Sequence, residues 1–322
     1  MAHELFINEE GKASMAYVGQ APWHGLGQQL TEDSPIEVWA REAGMDYYIE
    51  SAQVHYPAPV SQEMLQFAGK KVLFRNDTGA ALSVVSDRYK VVQPLEVLEF
   101  FRNLTEQHGW KLETAGVLYQ GQKYWALAKT GAEVRIMGQD LLKGYVLLAT
   151  SCDGTLRTMA KRTSIRVVCN NTLTYAANNG EPEIRISHSS NFDAIAVQNE
   201  LGIGDAWEDF SRHAAELAIR KVSNQEAVNY VLGLFGDKMK PLDQQPAIQT
   251  IAKVLQLFDG NGKGSDLQSA RGTAWGLVNA VTEYIDHHKG RDQSRRLDNA
   301  WFGKGGDFKV QAYNSALELI AA

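Results

Sequence analysis

LLKGYVLLATSCDGTLRTMAKRTSIRVVCNNTLTY, residues 141–175, is the stretch whose reading decides the fold. Its apolar run at 144–151 predicts an interior strand, and Asp153-Gly154 behind it is a strong tight-turn signal. Residues 163–174 carry apolar positions that fit a strand and a helix equally. Within the stretch Lys143, Arg157, Lys161, Arg162 and Arg166 stand against Asp153 alone, a local balance of +4 in a chain of net charge −6. A polyanion, if the chain meets one, is expected here.

Towards the N-terminus the punctuation alternates between strands and helices. Residues 110–119 and 123–129 read as strands joined by Gln120-Gly121-Gln122. Pro94 opens a helix with Leu95, Leu98, Phe101 and Leu104 at helical spacing, and Gly109 closes it. Short strands at 71–74 and 81–85 flank Asn76-Asp77-Thr78-Gly79, a hairpin signal, and 47–56 reads as another strand. Ser34-Pro35-Ile36-Glu37 starts a helix that Gly44 stops. The first thirty residues, ending in Ala-Pro-Trp-His-Gly-Leu-Gly at 21–27, read as an irregular arm. Trp23 there is an anchor for the arm or part of a binding surface.

Towards the C-terminus a last strand at 183–188 gives way to helical patterns at 193–222, 225–235, 245–258, 272–288 and 308–321. The fold class expected is α+β: a β-rich half, an antiparallel sheet with packed helices, followed by a mainly helical half. The boundary is expected near residue 190, giving 1–190 and 191–322 as two lobes or one composite domain.

Composition narrows the function classes. The chain has 322 residues, 44% of them hydrophobic and 22% charged, which is ordinary for a folded protein and far from a disordered one. The acidic balance excludes a generally basic surface. Cys152 and Cys169 are too few for a disulfide framework and suit a reducing cytoplasm. No stretch has the length of a membrane span, and the N-terminus lacks the pattern of a signal peptide, so a soluble intracellular protein is expected.

The chemistry-bearing candidates centre on Lys161-Arg162-Thr163-Ser164-Ile165-Arg166, with Asn170 and Asn171 close behind. Lys and Arg hold phosphates, while hydroxyl and amide groups fix register or read bases. A strand edge guarded by charges has the same composition. Cys169 beside Asn170 suggests a nucleophile, but no local signature supplies its base. Residues 259–266 fail the calcium-loop pattern at Lys263 and Ala270, and Gly264 follows Lys263 where a phosphate loop needs Ser or Thr. A connector, or a loop whose amides touch phosphate, survives. Glu283 and His287, four apart, lack a second ligand pair, so no metal and no cofactor is expected. Arg291, Arg295, Arg296, Lys304 and Lys309 form a second basic run.

Three separated strings, APWHGLG in the arm, RVVCNNTL in the centre and GTAWGLVNAVTEYIDHH with RLDNAWFGKG later, resemble the phage/plasmid-like proteins grouped under domain of unknown function 932. The resemblance implies residence on phages and plasmids of bacteria, hence a cytoplasmic setting. The β-rich half followed by helices also looks like the Rad-type and Redβ-type single-strand annealing proteins. The expected function is therefore single-stranded DNA binding in replication or recombination, with annealing included. Lys143, Arg157, Lys161, Arg162 and Arg166 would meet phosphates, Asn170 and Asn171 would set register, and Trp23 or Trp275 would stack a base. Homo-oligomers and host or phage replication proteins are the implied partners. A non-enzymatic factor that binds or inhibits a host protein is the alternative, and an enzyme using Cys169 or a metal at His287 a further one.

Overall fold

The computed structural model describes residues 5–8, 11–19, 25–175, 183–190, 193–201, 203–237, 239–290 and 294–321. Within the arm read as irregular lie two short strands, Met15–Val18 (β1) and Gln28–Leu30 (β2), followed by Ile36–Glu42 (α1). Then come Ile49–Pro57 (β3), Met64–Arg75 (β4), Ala81–Ser86 (β5), Pro94–His108 (α2), Lys111–Leu118 (β6) and Lys123–Ile136 (β7). The central stretch supplies Asp140–Ser151 (β8), Thr158–Arg166 (β9) and Asn171–Thr174 (β10), and Glu183–Ile186 (β11) follows. The ambiguous segment 163–174 is thus a strand end, a turn and a second strand, with Asn170 at φ 55° supplying the left-handed residue.

The main sheet runs β10-β9-β8-β7-β6-β1-β2, antiparallel throughout except for the β1–β2 pair. β11 pairs with the first half of β9, leaving the second half to β10. Side chains alternate between the two faces. Ala126, Ala128, Val146 and Leu148 pack against Val97, Leu98 and Phe101 of α2 and Trp39 of α1. Trp125, Leu127, Tyr145 and Leu147 face the other way, towards Leu5, Met15 and Trp301. Covered on both faces, β8 reads in sequence as an unbroken apolar run.

The helical half consists of Ala194–Leu201 (α3), Ile203–Ile219 (α4), Asn224–Phe235 (α5), Ile248–Gln256 (α6), Ala274–Glu283 (α7), Ser294–Trp301 (α8) and Lys304–Ala321 (α9). The segment read as one helix at 193–222 is therefore two, α3 and α4. Wide π-type turns, Leu257–Asn261 and Tyr284–His288, extend α6 and α7. Helix starts follow local chemistry: Gln93 and Glu96 form a capping box before Pro94, and Ser223 and Glu226 form another for α5. The two halves share a core, since Leu142, Leu173 and Tyr175 pack with Phe210, Trp275, Val278 and Tyr313. No helix among the described residues is long and apolar enough to cross a membrane. The α+β class expected from the element order is the class observed.

A second sheet, β3-β4-β5, stands on the turn end of the first. Its base is pinned there by Tyr47 Oη to Gly121 O (3.2 Å), Gln122 Nε2 to Leu82 O (2.7 Å), Ser83 Oγ to Cys152 O (2.6 Å) and Tyr89 Oη to Ser151 O (2.8 Å). β5 reaches only to Lys70 of β4, so Met64–Pro57 and its neighbours form a two-stranded ribbon beyond it. Nearly every residue of that ribbon is exposed.

Candidate nucleic-acid interface

Strand alternation disperses the basic stretch. Lys161 shares a face of β9 with Met159, while Arg162 and Arg166 point to the opposite side. Lys161 is buried and its Nζ donates to Trp301 O, with Glu183 Oε2 at 3.9 Å. Burial pushes its ammonium down to about 8, against the pull of Glu183. Arg162 is buried and donates to the carbonyls of Leu201 and Tyr175. Arg166 is 2% exposed. Its Nε lies 2.8 and 3.0 Å from the Asp140 oxygens, and its other nitrogens hold Lys263 O and Gly264 O. Burial alone would lower its pKa, but the hydrogen-bonded Asp140 carboxylate overrides this and raises it.

The expected phosphate track is therefore corrected at Lys161, Arg162 and Arg166: they are interior groups whose donors are taken by protein carbonyls and a carboxylate. Asn171 is also buried, its Nδ2 donating to Asn279 O at 3.2 Å. Trp275 is 1% exposed, with Nε1 on Asp140 Oδ2 at 3.1 Å, so its ring offers no face for a base. Trp23 lies outside the described residues. Lys143 is half-buried and pairs with Glu133 at 3.4 Å, while Asn170 is exposed on its turn. Of the later basic run, Lys309 is buried against Asp286 at 2.7 Å, and Arg296 is spent on the carbonyls of His287, Lys289 and Gly290. The 259–266 loop is a structural tie to Arg166. Cys169 is buried and its thiol is pushed up to about 11 by that burial. Cys152 is likewise pushed up to about 12.

Arg157 alone of the five cations is exposed, and it leads to a different surface. Its neighbour Leu156 gives its carbonyl to His188 Nε2 (2.9 Å), and His188 stacks on Tyr89 with ring centroids 4.5 Å apart. Lys90 N donates to His188 O, Lys71 Nζ to Tyr89 O, and Asp87 N to Gly69 O beside Lys70. These bonds gather Lys70, Lys71, Arg88, Lys90 and Arg157 at the junction of the two sheets. Lys70, Arg88, Lys90 and Arg157 are exposed and make no ion pair among the described residues. Asp87 is the exposed acid in the group, and Asp153 is held by its own turn through Thr155. From this base the ribbon carries exposed Tyr56 and Phe67, in edge contact at 6.5 Å. The sequence signal for this surface is the pair of short basic runs, Lys70-Lys71 and Arg88-Tyr89-Lys90, which only folding brings beside Arg157.

A domain of unknown function, DUF932, matches residues 81–301. The chain belongs to the DUF932 family. The DUF932 match begins at β5 and ends at the last residue of α8, so Arg88, Lys90 and Arg157 lie within it. The arm string at 21–27, the ribbon and Lys70 lie outside it. No curated protein and no solved structure matches the chain.

Proposed function

We propose that this DUF932 protein is a non-enzymatic single-stranded nucleic-acid-binding protein of phage or plasmid origin that assists replication or recombination, strand annealing included. The observation that carries the reading is the cluster of exposed cations at the sheet junction, which make no ion pair among the described residues and stand beside exposed aromatic rings on the ribbon. Cations that have no protein partner are free to exchange counterions for phosphates. Aromatic faces supply sequence-tolerant stacking, worth about 1–3 kcal/mol per base. Self-association belongs to the same reading, because annealing proteins work as rings or filaments.

The test is oligonucleotide binding as a function of salt, by fluorescence anisotropy. Wild type should show a steep dependence. The combined variant Lys70→Ala/Arg88→Ala/Lys90→Ala/Arg157→Ala should flatten the slope by roughly 0.7 per lost phosphate contact on a single strand. Lys161→Met, being interior, should leave the slope alone. An unchanged slope in the combined variant, or no binding at low salt, overturns the proposal.

One observation favours a second reading, docking to a protein. Residues 51–69 contain no Lys or Arg, while Val60, Met64 and Phe67 on the ribbon are 95%, 63% and 50% exposed. An apolar projection without cations suits a protein surface better than phosphate.

A further inference from the structure

The main sheet ends, beside the first half of β9, in the short strand β11. Among the described residues Glu183–Ile186 pairs with β9 alone, so the other edge of β11 carries main-chain N–H and C=O groups with no strand next to them. That edge opens into a cleft of about 1260 Å³ lined by α3, β11 and α9. Glu183, Ile184, Arg185, Ile186 and Ser187 all line it, although successive side chains of a strand point to opposite faces. A cleft that meets both sets lies along the edge of the strand.

Its walls are two helical rows. Asp193, Ala196, Val197 and Glu200 run along α3, and Asp307, Val310, Gln311, Asn314 and Glu318 along α9. At about 1.5 Å per residue the α9 row is roughly 16 Å long, room for about five residues of extended chain at about 3.3 Å each. A helix on either side keeps a second sheet away from the edge, while a single chain can enter.

The charge in the cleft is one-sided. Asp193, Glu200, Asp307 and Glu318 are exposed and make no ion pair among the described residues, although Asp193 Oδ1 accepts the Ala196 N–H at 3.0 Å at the start of α3. The two cations of the cleft are engaged: Arg185 pairs with Glu183, and Lys161 donates to Trp301 O. Carboxylates on both walls favour a cationic occupant and repel the phosphates of a nucleic acid.

We propose that β11 accepts an extended, basic segment of a partner protein as a further strand of the main sheet. Main-chain bonds to the open edge supply affinity, and side chains at alternate positions supply specificity. Lys or Arg at every second position meets the acids of α3 and α9, and apolar side chains between them rest against Phe302 and Val310, which also line the cleft. The open edge binds; the acids select what enters. The cations of the sheet junction take no part, so the site does not depend on nucleic-acid binding.

The probe is a fluorescein-labelled heptapeptide, Lys-Val-Arg-Val-Lys-Val-Lys, titrated with the full chain and followed by anisotropy. Saturable binding is expected, together with slower deuterium uptake at Glu183–Ile186. Two control peptides separate the causes. Exchanging every Val for Pro keeps the cations and removes the strand, and exchanging every cation for Glu keeps the strand and reverses the charge. Each should bind at least tenfold more weakly. Glu200→Gln/Asp307→Asn/Glu318→Gln alters three exposed positions and should melt as wild type does, yet lose at least tenfold in affinity for the heptapeptide. The proposal is overturned if the heptapeptide does not saturate, if either control binds as tightly, if the triple variant binds as wild type does, or if uptake at Glu183–Ile186 is unchanged. Oligonucleotide binding should persist in the triple variant, and peptide binding in the variant lacking the four junction cations, so the failure of one reading leaves the other standing.

Discussion

Arg166 and Asp140 form a buried pair with few unmet hydrogen bonds: the carboxylate also accepts from Ser269 Oγ at 2.7 Å and from Trp275. Removing one partner strands the other charge in the interior, so Asp140→Ala should cost about 3–5 kcal/mol in urea unfolding. Asp140 precedes the basic stretch by one residue. A count over 141–175 leaves out the acid that neutralises Arg166, and the remaining ligands, Lys263 O and Gly264 O, are almost a hundred residues away. That is why the interior role of Arg166 was not legible. Lys161 gives a pH prediction. Its folded value of about 8 lies below the ordinary 10.5, so between these values the unfolded chain binds a proton that the folded chain does not. Stability contributed by this group therefore rises with pH from about 8 towards 10, and is lowest below 8, where the ammonium is carried inside. Melting of wild type against Lys161→Met from pH 7 to 10 should show wild type gaining on the variant as pH increases.

Among elements, legibility follows burial. β8 and α2 are readable because an apolar run, Pro94 and Gly109 mark inside, start and stop, whereas the tight turn signalled at Asp153-Gly154 is a longer bend over residues 152–157. Gly109 adopts φ 69°, the left-handed cap that its lack of a Cβ permits. The sequence pattern marks β4 only at 71–74, whereas it runs from Met64 to Arg75. Its first part has water on both faces, so alternation carries no inward sign there. β1 and β2 are four and three residues long and gain their place only by pairing with distant β6 and with each other. The ribbon makes an independent prediction. Because its outer part buries no side chain, replacing residues 54–68 by a two-residue turn should leave the urea midpoint within error of wild type. Loss of nucleic-acid or protein binding in that variant would then be a loss of surface and not of fold.

Over the whole molecule, the order of strands before helices revealed the α+β class, but not how the halves interlock. β10 is wrapped by the helical half: Thr172 N donates to Asp286 Oδ2 at 2.7 Å and Lys309 bridges the same two residues. Tyr175 stacks on Phe210 with centroids 4.6 Å apart. Severing the chain at residue 190 should consequently give two fragments that do not unfold cooperatively alone, with sharp thermal transitions restored only on mixing. The candidate surface was legible at one residue, Arg157, because the basic runs that join it come from β4 and from the segment after β5. Spatial convergence of that kind leaves no local periodicity to read.

The bond from Trp275 to Asp140 also turns the indole proton into a reporter. It lies at the seam where α7 meets the start of β8, in a position closed to water. In a ¹H–¹⁵N spectrum that proton should be well separated from those of exposed indoles and slow to exchange with deuterium. Its exchange rate then measures how often the helical half lifts from the sheet, independently of any activity.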